Sequence, residues 1–313
     1  MKKVAIVTSD GIGDALLMMI AAHKFHQSRY DVTLFHPKIH ELANWFPEYR
    51  FDCVKESLDN FQSYDLVIVQ HPSKNVDRFC EYRKNGHLPN MMLFYPHYHF
   101  DFGPFNPKDY QFDNQKLLTQ NIAEASCHIL PNIPYSLDNG LRIPKNLHLT
   151  HRKHLKRVLI HPASADDKKN WTGKKFCKVA KALQKQGYEV SFILHSSEKQ
   201  LFESQLPSGI KCPDFSNLSD LASYVYESGY LIGNDSLLGH LASLLNLPTI
   251  IIASCKRHIK MWRPGWRLGE VVLPVSWAPN IKFFRIREKY WQHFISPSAV
   301  LEKFSYLVKN DTP

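Results

Sequence analysis

Short apolar runs recur along the chain and are separated by polar or helical stretches. The runs cover residues 4–8, 32–35, 66–69, 91–94, 158–161, 190–194 and 249–253. Their length and alternation are typical of parallel strands that are buried on both faces, with helices between them. The pattern predicts an α/β fold made of doubly wound, Rossmann-like domains.

A loop-like stretch divides this pattern into two parts. Between residues 131 and 156 the chain carries Pro131, Pro134, Gly140 and Pro144, followed by the basic run HRKHLKR. Clusters of proline and glycine interrupt regular structure. The sequence therefore predicts an N-terminal domain over residues 1–150 and a C-terminal domain over residues 151–285. Residues 286–313 have a helical, aromatic pattern, and we expect them to pack back on the N-terminal domain.

The composition is that of a folded protein with a basic surplus. Of the 313 residues, 44% are hydrophobic, which is enough for two packed cores. Lys and Arg number 39 against 29 Asp and Glu, a formal net charge of +10. This surplus favours an anionic partner, and charge alone leaves open nucleic acid, an acidic membrane surface or a phosphorylated small molecule.

The six cysteines are scattered along the chain without a C-x-x-C pair. Such spacing indicates thiols in a reducing compartment and disfavours a structural zinc site. The apolar residues that follow Lys2 and Lys3 are interrupted by Ser9, Asp10 and Gly11, and no later run reaches membrane-spanning length. We therefore expect a cytoplasmic protein whose basic surface can contact the cytoplasmic face of the inner membrane.

The segment over residues 230–252 has the pattern of a binding site. An apolar run over residues 230–232 is followed by Gly233 and Asn234, which favour a turn, and then by a helix over residues 237–245. Asp235 and Ser236 are good N-cap residues for that helix. Free N–H groups at a helix start, beside the carboxyl end of a parallel strand, form a favourable place for a phosphate.

His240 lies about one turn into the same helix, so its side chain would point at the same place. A histidine beside Leu241, Leu244 and Leu245 is also typical of a core residue that is hydrogen-bonded to the backbone. Asp235 likewise has a purely structural interpretation as a helix cap. The residues alone leave both interpretations open.

The first apolar run ends in TSDGIGDALL, which puts Gly11 and Gly13 in a tight turn before a helix through Ala22. Glycines at such a turn let the backbone approach a ligand. The motif is not a dinucleotide-binding fingerprint, because Leu16 occupies its third glycine position. Asp14 is a candidate general base for an acceptor hydroxyl, and its structural alternative is a helix N-cap.

The second domain repeats this arrangement in LIHPASADDKKNW, where Ser164, Lys168 and Lys169 follow a strand. Lysines at that place can neutralise a diphosphate, or can simply belong to a solvated loop. In FILHSSEKQ, Glu198 either accepts hydrogen bonds from ribose hydroxyls or stabilises the start of a helix.

Two further segments combine aromatic residues with basic or histidine side chains. The run CKRHIKMWRPGWR, which includes Arg263, suits phosphate groups on a donor, an acceptor or a membrane, and equally suits an unliganded surface loop. The run LFYPHYHFDFGPF contains His97 and His99. Loop packing is favoured there over a metal site, because no third ligand is evident.

Three motifs occur in order across both predicted domains, namely GIGD, HPASADDKKNW and GNDSLLGHLASLLNLPT. In this order and spacing they resemble glycosyltransferase family 9, the lipopolysaccharide heptosyltransferases. The resemblance implies a GT-B fold, in which two Rossmann-like domains face a central cleft. It also implies inverting transfer without an obligatory metal or cofactor. The donor would be a nucleotide sugar, usually ADP-heptose, bound by the second domain, and the acceptor a lipid-linked or phosphorylated glycan bound by the first.

The resemblance also assigns roles to individual residues. Asp14 corresponds to the general base, Lys169 to the group that stabilises the departing diphosphate, and Glu198 to the ribose ligand. The implied donor site comprises Ser164, Lys168, Glu198, Asp235, Ser236, Leu237, Leu238, Gly239 and His240. The implied acceptor or phosphate contacts are Gly11, Gly13 and Arg263.

The chain departs from the family at one position of its third motif. Asp235, Ser236 and His240 match the family's Asp-[Ser/Thr]-Gly-x-x-His pattern, but Leu237 stands where the family has glycine. A leucine there would narrow the space beside the phosphates or the sugar, and we expect Gly239 to restore part of that space.

Two other functions stay open at this point. A different GT-B-like sugar-nucleotide enzyme, such as an epimerase, needs no acceptor, whereas a transferase does. A non-catalytic polyanion or nucleic-acid binder would use the net charge of +10 and would bind with a steep salt dependence. The chain carries no recognised nucleic-acid-binding motif, which disfavours nucleic acid as a partner.

Overall fold

A computed structural model describes residues 1–71, 73–95, 109–164, 166–202, 206–267, 269–276 and 286–311. The chain divides into two units, Met1–Leu147 and His148–Pro313. The division lies close to the boundary predicted after residue 150. His97 and His99 lie outside the described residues.

The first unit is built on a parallel sheet. Its strands are β1 (Lys3–Val7), β2 (Asp31–Phe35), β3 (Arg50–Asp52), β4 (Leu66–Gln70), β5 (Met91–Tyr95) and β6 (Tyr110–Gln111). Its helices are α1 (Ile12–Gln27), α2 (Val76–Lys84) and α3 (Leu118–Ile129), with 3-10 helices over Ile39–Trp45, Asp59–Ser63 and Lys145–Leu147. The strand order is β3-β2-β1-β4-β5-β6, and all neighbours are parallel. This is a doubly wound order, in which the connections reverse direction between β1 and β4.

Helix α1 extends past its predicted end at Ala22 and reaches Gln27. It is buried from Ala15 to Phe25, because it packs against β2 and α3. His23 and Lys24, which follow Ala22, are buried, and the Lys24 ammonium donates a 2.7 Å hydrogen bond to the carbonyl of Pro134. The buried ammonium thus has a hydrogen-bond partner, as buried polar groups generally do.

The second unit is built on another parallel sheet. Its strands are β7 (His154–His161), β8 (Glu189–Phe192), β9 (Ser228–Asn234), β10 (Thr249–Ile252) and β11 (Glu270–Val272). Its helices are α4 (Gly173–Lys185), α5 (Ser196–Phe202), α6 (Leu218–Tyr226), α7 (Leu237–Leu244), α8 (Lys256–Trp262), α9 (Ile286–Lys289) and α10 (Pro297–Asn310), with 3-10 helices over Asp167–Lys169 and Trp291–Phe294. The order is β11-β10-β9-β7-β8. The connections here reverse direction between β7 and β9.

The strands predicted from the apolar runs are present, and the predicted α/β fold with parallel sheets is confirmed. The sequence misses β3, β6 and β11, which are only two or three residues long and lie at sheet edges. Edge strands bury less of their surface, so they need no continuous apolar run.

The turn predicted at Gly233 and Asn234 is wrong, because both residues belong to β9. A Cβ atom at Gly233 would lie 2.9 Å from the carbonyl oxygen of His161 in the neighbouring strand β7. Glycine is therefore required by close packing of two strands and not by a turn.

The prediction for residues 286–313 also differs from the structure. Helix α10 belongs to the second unit, where it packs on α4, β10 and β11. Trp291, Ile295, Val300 and Phe304 are buried in the same core as the strands of that sheet. The aromatic pattern thus reflects completion of the second core, whereas the sequence alone suggested packing on the N-terminal domain.

Two features are absent from the parts of the chain that the structure describes. None of the helices in those parts combines the length and the apolar character needed to cross a bilayer. No group of three or more His, Cys, Asp or Glu side chains in the described ranges is placed to hold a metal ion.

Candidate functional site

The start of α7 carries two buried polar atoms that lack hydrogen-bond partners among the described residues. Ser236 is the N-cap residue, as predicted, but its Oγ makes no capping bond. The Nδ1 atom of His240 is also without a partner, although the residue is only 6% exposed. An unsatisfied buried polar group costs about 1–3 kcal/mol. A ligand that hydrogen-bonds to both side chains would remove this cost.

Two charged side chains act electrostatically on His240. Burial lowers the pKa of His240 below its ordinary value, the Asp235 carboxylate opposes this shift, and the Lys169 ammonium adds to it. The imidazole is therefore neutral near pH 7. Asp235 and Lys169, both predicted site residues, are the two charged groups that act on this imidazole.

A buried asparagine holds the loop that carries Lys169. Asn234, at the end of β9, is 1% exposed. Its Oδ1 accepts a 3.0 Å hydrogen bond from the N–H of Trp171, and its Nδ2 donates to the carbonyl of Pro162 at 2.6 Å and to Asn170 Oδ1 at 3.3 Å. Asn234 thus connects the end of β9 to the loop that follows β7 and carries Lys169, at the point where this sheet reverses direction. The sequence predicted only a turn at this residue.

Two tryptophans tie the same loop to the segment near the end of the chain. Trp291 Nε1 donates to the carbonyl of Lys168 at 3.0 Å, and Trp171 Nε1 donates to the carbonyl of Gln292 at 3.2 Å. The Lys175 ammonium donates to the carbonyl of Gln292 at 2.5 Å. These contacts fix the backbone from which Lys168 and Lys169 project.

Ser164 and Glu198 make hydrogen bonds within their own segments. The Ser164 Oγ lies 2.9 Å from the carbonyl oxygen of Asp166 and 2.7 Å from Asn170 Oδ1, and its one proton can be donated to either acceptor. Glu198 Oε2 accepts a 2.8 Å bond from the N–H of His195 at the start of α5. Both residues lie at the carboxyl ends of neighbouring strands, but in this structure their polar atoms stabilise a loop and a helix start.

Leu237, Leu238 and Gly239 form the first turn of α7. Leu237 is half-buried, whereas Leu238 is buried. A Cβ atom at Gly239 would lie 2.8 Å from the Cδ1 of Ile251 and 3.3 Å from the Cγ of Pro264. Gly239 therefore permits close packing of α7 on β10, and the structure gives no sign that it opens space beside Leu237.

In the first unit, the GIGD motif lies at the start of α1. Gly11 is the exposed N-cap residue, and Gly13 and Asp14 are in the first turn. The structural alternative for Asp14, a helix N-cap, is wrong because Gly11 occupies that position. The carboxylate of Asp14 accepts a 3.1 Å hydrogen bond from Ser9 Oγ at Oδ2. A Cβ atom at Gly11 would lie 2.8 Å from the same oxygen, so glycine leaves room for the carboxylate.

The basic run after β10 is divided between two roles. Arg263 is half-buried at the end of α8, where it remains a predicted phosphate contact. Arg267 is part of the unit's own structure: its guanidinium donates to Asp311 Oδ1 at 2.6 Å and to the carbonyl of Asn246 at 3.0 Å. Arg152 donates to the other oxygen of Asp311 at 2.5 Å.

The buried histidines make the free energy of unfolding depend on pH. Burial lowers the pKa of His23, His36, His151, His161 and His240. Below about pH 6.5 the unfolded chain binds more protons than the folded chain at these sites, so the free energy of unfolding falls as the pH falls. We expect a lower melting temperature at about pH 5.5 than at about pH 7.5. An equal or higher melting temperature at the lower pH would contradict this expectation.

The loops around His240 lie in a part of the chain that matches a known family. Residues 130–262 match the model of glycosyltransferase family 9 (heptosyltransferase). That stretch, which covers less than half of the chain, is similar to the family 9 glycosyltransferases. The resemblance is confirmed over these residues, which contain two of the three motifs, HPASADDKKNW and GNDSLLGHLASLLNLPT. Asp14 lies outside the matched residues.

Similar proteins extend the comparison. Lipopolysaccharide heptosyltransferase 3 of Escherichia coli (strain K12) is 29% identical over 168 residues, and the alignment covers 50% of this chain and 47% of that protein. The matched part thus spans about half of the relative's length. The structure of E. coli ADP-heptose LPS heptosyltransferase II has a TM-score of 0.71 at 16% identity and covers 98% of each chain. E. coli heptosyltransferase WaaC with ADP has a TM-score of 0.69 at 14% identity, covering 97% of this chain and 99% of that chain. The predicted GT-B fold class is confirmed.

Proposed function

We propose that the protein is an inverting glycosyltransferase that transfers a heptose from ADP-heptose to a lipopolysaccharide core or related glycan acceptor. One observation carries the proposal. Within the family 9 match, Ser236 and His240 present buried polar atoms without partners among the described residues, and the Lys169 charge acts on the same imidazole. This combination suits an anionic ligand, and a nucleotide diphosphate is the ligand that the family match supports.

The donor diphosphate would be held by the start of α7. Backbone N–H groups at the start of α7, the Ser236 hydroxyl and a neutral His240 imidazole protonated on Nδ1 would donate to phosphate oxygens. Lys169 would supply positive charge for the oxygen that leaves with the nucleotide. Such charge is most effective when it is fixed in place, which the Asn234 and Trp291 contacts of this loop provide.

The reaction follows from these roles. Asp14 would take the proton of an acceptor hydroxyl as that oxygen attacks the anomeric carbon of the donor sugar. The new bond forms on the face opposite the diphosphate, so the configuration inverts. The bond between the anomeric carbon and the diphosphate oxygen breaks, and its electron pair leaves with ADP. Lys169 and the α7 N–H groups would stabilise the charge that develops on this oxygen.

The names of the relatives support the proposed substrates. One similar structure is of an ADP-heptose LPS heptosyltransferase and another contains ADP. The net charge of +10 suits a phosphorylated acceptor and peripheral contact with an anionic inner-membrane surface. Leu237, in place of the family's glycine, would contact the phosphates or the sugar, so we expect it to influence donor choice.

A transfer assay tests the proposal. With ADP-heptose and a lipopolysaccharide core acceptor, we expect ADP release and a heptose-containing product only when both substrates are present. An epimerase would instead convert the donor sugar in the absence of any acceptor.

We expect Ser236→Ala to weaken ADP binding about tenfold, because one charge-assisted hydrogen bond is lost.

The matched control is Ser223→Ala in α6 of the same unit. The Ser223 hydroxyl already donates to the carbonyl of Ser219 at 2.8 Å, so this variant should bind ADP like the wild type. Calorimetry measures both affinities. Equal ADP affinity in Ser236→Ala and wild type would remove the diphosphate site from α7, and a lack of transfer with every nucleotide sugar offered would overturn the function.

A further inference from the structure

Three buried polar residues in the first unit lie at the ends of neighbouring strands and are not explained by the roles given so far. Ser9 follows β1, His36 follows β2, and Gln70 ends β4. They are 5%, 2% and 1% exposed, respectively. Buried polar side chains are retained when they are hydrogen-bonded, so their partners indicate what they do.

Gln70 holds the backbone of Ser9. Its Oε1 accepts a 3.0 Å hydrogen bond from the N–H of Ser9, across 61 residues of sequence. Strands β1 and β4 flank the point where the sheet reverses direction. The buried amide therefore fixes the position at which the chain leaves β1 for the GIGD motif.

The side chain of Ser9 connects this fixed backbone position to Asp14. Ser9 Oγ donates a 3.1 Å hydrogen bond to Asp14 Oδ2. Because its backbone is bound to Gln70, Ser9 presents this hydroxyl to Asp14 from a fixed backbone position. A carboxylate with one oxygen bound to a fixed donor keeps a defined orientation, which is what general-base catalysis requires.

His36 holds the other side of the same loop. Its Nδ1 accepts hydrogen bonds from the N–H groups of Lys38 at 3.0 Å and Ile39 at 3.1 Å. The proton of the neutral ring must then be on Nε2, which donates to the carbonyl of Asp10 at 3.1 Å. Burial lowers the pKa of His36, in agreement with a neutral ring. The loop from Ser9 to Asp14 is thus bound to both strands that flank β1.

We propose that Ser9, held by Gln70, is a positioning residue that orients the Asp14 carboxylate for proton transfer. The inference rests on the proposed function, because it concerns the base of that reaction. It adds two residues, Ser9 and Gln70, that do not themselves contact the reacting atoms. Their effect is exerted on the geometry of Asp14.

Replacing Ser9 tests the proposal. We expect Ser9→Ala to lower kcat about tenfold, the effect of one lost hydrogen bond, with the KM for the donor and the affinity for ADP unchanged. Ser9→Thr retains the hydroxyl and should restore most of kcat. Gln70→Met should lower kcat similarly, and the double variant should lose little more than either single variant, because both act through one chain of contacts.

A matched control separates this role from general damage. Ser57→Ala also removes a serine–carboxylate hydrogen bond in the first unit, from Ser57 Oγ to Asp59 Oδ2 at 2.8 Å, but on the exposed surface. It should leave kcat unchanged. Melting temperatures of all variants are measured alongside, so that a loss of folded protein is not counted as a loss of kcat.

The outcomes distinguish the inference from the function on which it rests. If wild type transfers sugar and Asp14→Asn does not, but Ser9→Ala keeps the wild-type kcat, the positioning role is overturned while the function stands. The positioning role is likewise overturned if Ser9→Thr is as slow as Ser9→Ala. If wild type shows no transfer, or Asp14→Asn transfers at the wild-type rate, the proposed chemistry is overturned and this inference with it.

Discussion

Asp14→Asn is expected to reduce kcat for sugar transfer by about 1,000-fold, because general-base catalysis typically contributes a factor of 100 to 10,000. Asparagine has nearly the same shape and can still accept the hydrogen bond from Ser9, but it cannot take a proton at neutral pH. The affinity for ADP should be unchanged, since the proposed diphosphate ligands lie in the second unit. Initial rates of ADP release and calorimetric ADP binding measure the two quantities.

Asp10→Asn is the matched control for this variant. Asp10 is an exposed carboxylate in the same loop, and its Oδ2 accepts a 3.3 Å hydrogen bond from the N–H of Lys74, which asparagine can also accept. Its replacement should leave the rate within about threefold of the wild type, since no step of the proposed chemistry uses it. Unchanged transfer in Asp14→Asn would show that another group is the base.

Asn234→Ala should lower the free energy of unfolding by about 3 kcal/mol, because it leaves two buried backbone groups without partners. These are the N–H of Trp171 and the carbonyl of Pro162, each now bound to the Asn234 amide. The variant should also transfer sugar more slowly, since the loop that carries Lys169 loses its connection to β9. Urea unfolding measures the stability, and the transfer assay measures the rate.

Asn310→Ala provides the comparison. The Asn310 amide donates to the carbonyl of Tyr306 at 2.8 Å, but this contact is exposed to solvent. Its loss should change the free energy of unfolding by less than about 0.5 kcal/mol. If both asparagine variants lower the free energy of unfolding equally, the buried amide is not what holds the loop that carries Lys169.

The strands could be predicted because their signal is local. Residues 66–69 and 250–253 are uninterrupted apolar runs, and a strand buried on both faces needs little else. The placement of Ser236 and His240 at a helix start could be predicted for the same reason, since both residues lie within about one turn of each other. For each of these, the residues that determine the structure are adjacent in sequence.

The supporting residues could not be predicted in the same way. Asn234 bonds to Trp171 and Pro162, which are 63 and 72 residues away, and Gln70 bonds to Ser9 across 61 residues. Such contacts depend on which strands become neighbours. One signal was nevertheless present: a single polar residue at the carboxyl end of an apolar run, at Gln70 and Asn234.

The net charge is another property whose meaning depends on contacts between residues distant in sequence. A run of positive residues after β10 suggested phosphate binding for the whole cluster, yet Arg267 is bound to Asp311. The carboxylate that neutralises Arg267 and Arg152 lies 44 and 159 residues away in sequence. Formal charge therefore overstates how much positive charge this segment offers to a ligand.

The place of α10 in the second core has a consequence for synthesis on the ribosome. Val300 and Phe304 complete a core whose first strand, β7, begins at His154, so the second unit cannot finish folding until residues up to Asp311 have left the exit tunnel. The first unit has all of its strands much earlier and can fold while the second is still being translated. The loop that carries Lys169 is hydrogen-bonded to Trp291, so it would reach its final conformation among the last events of folding.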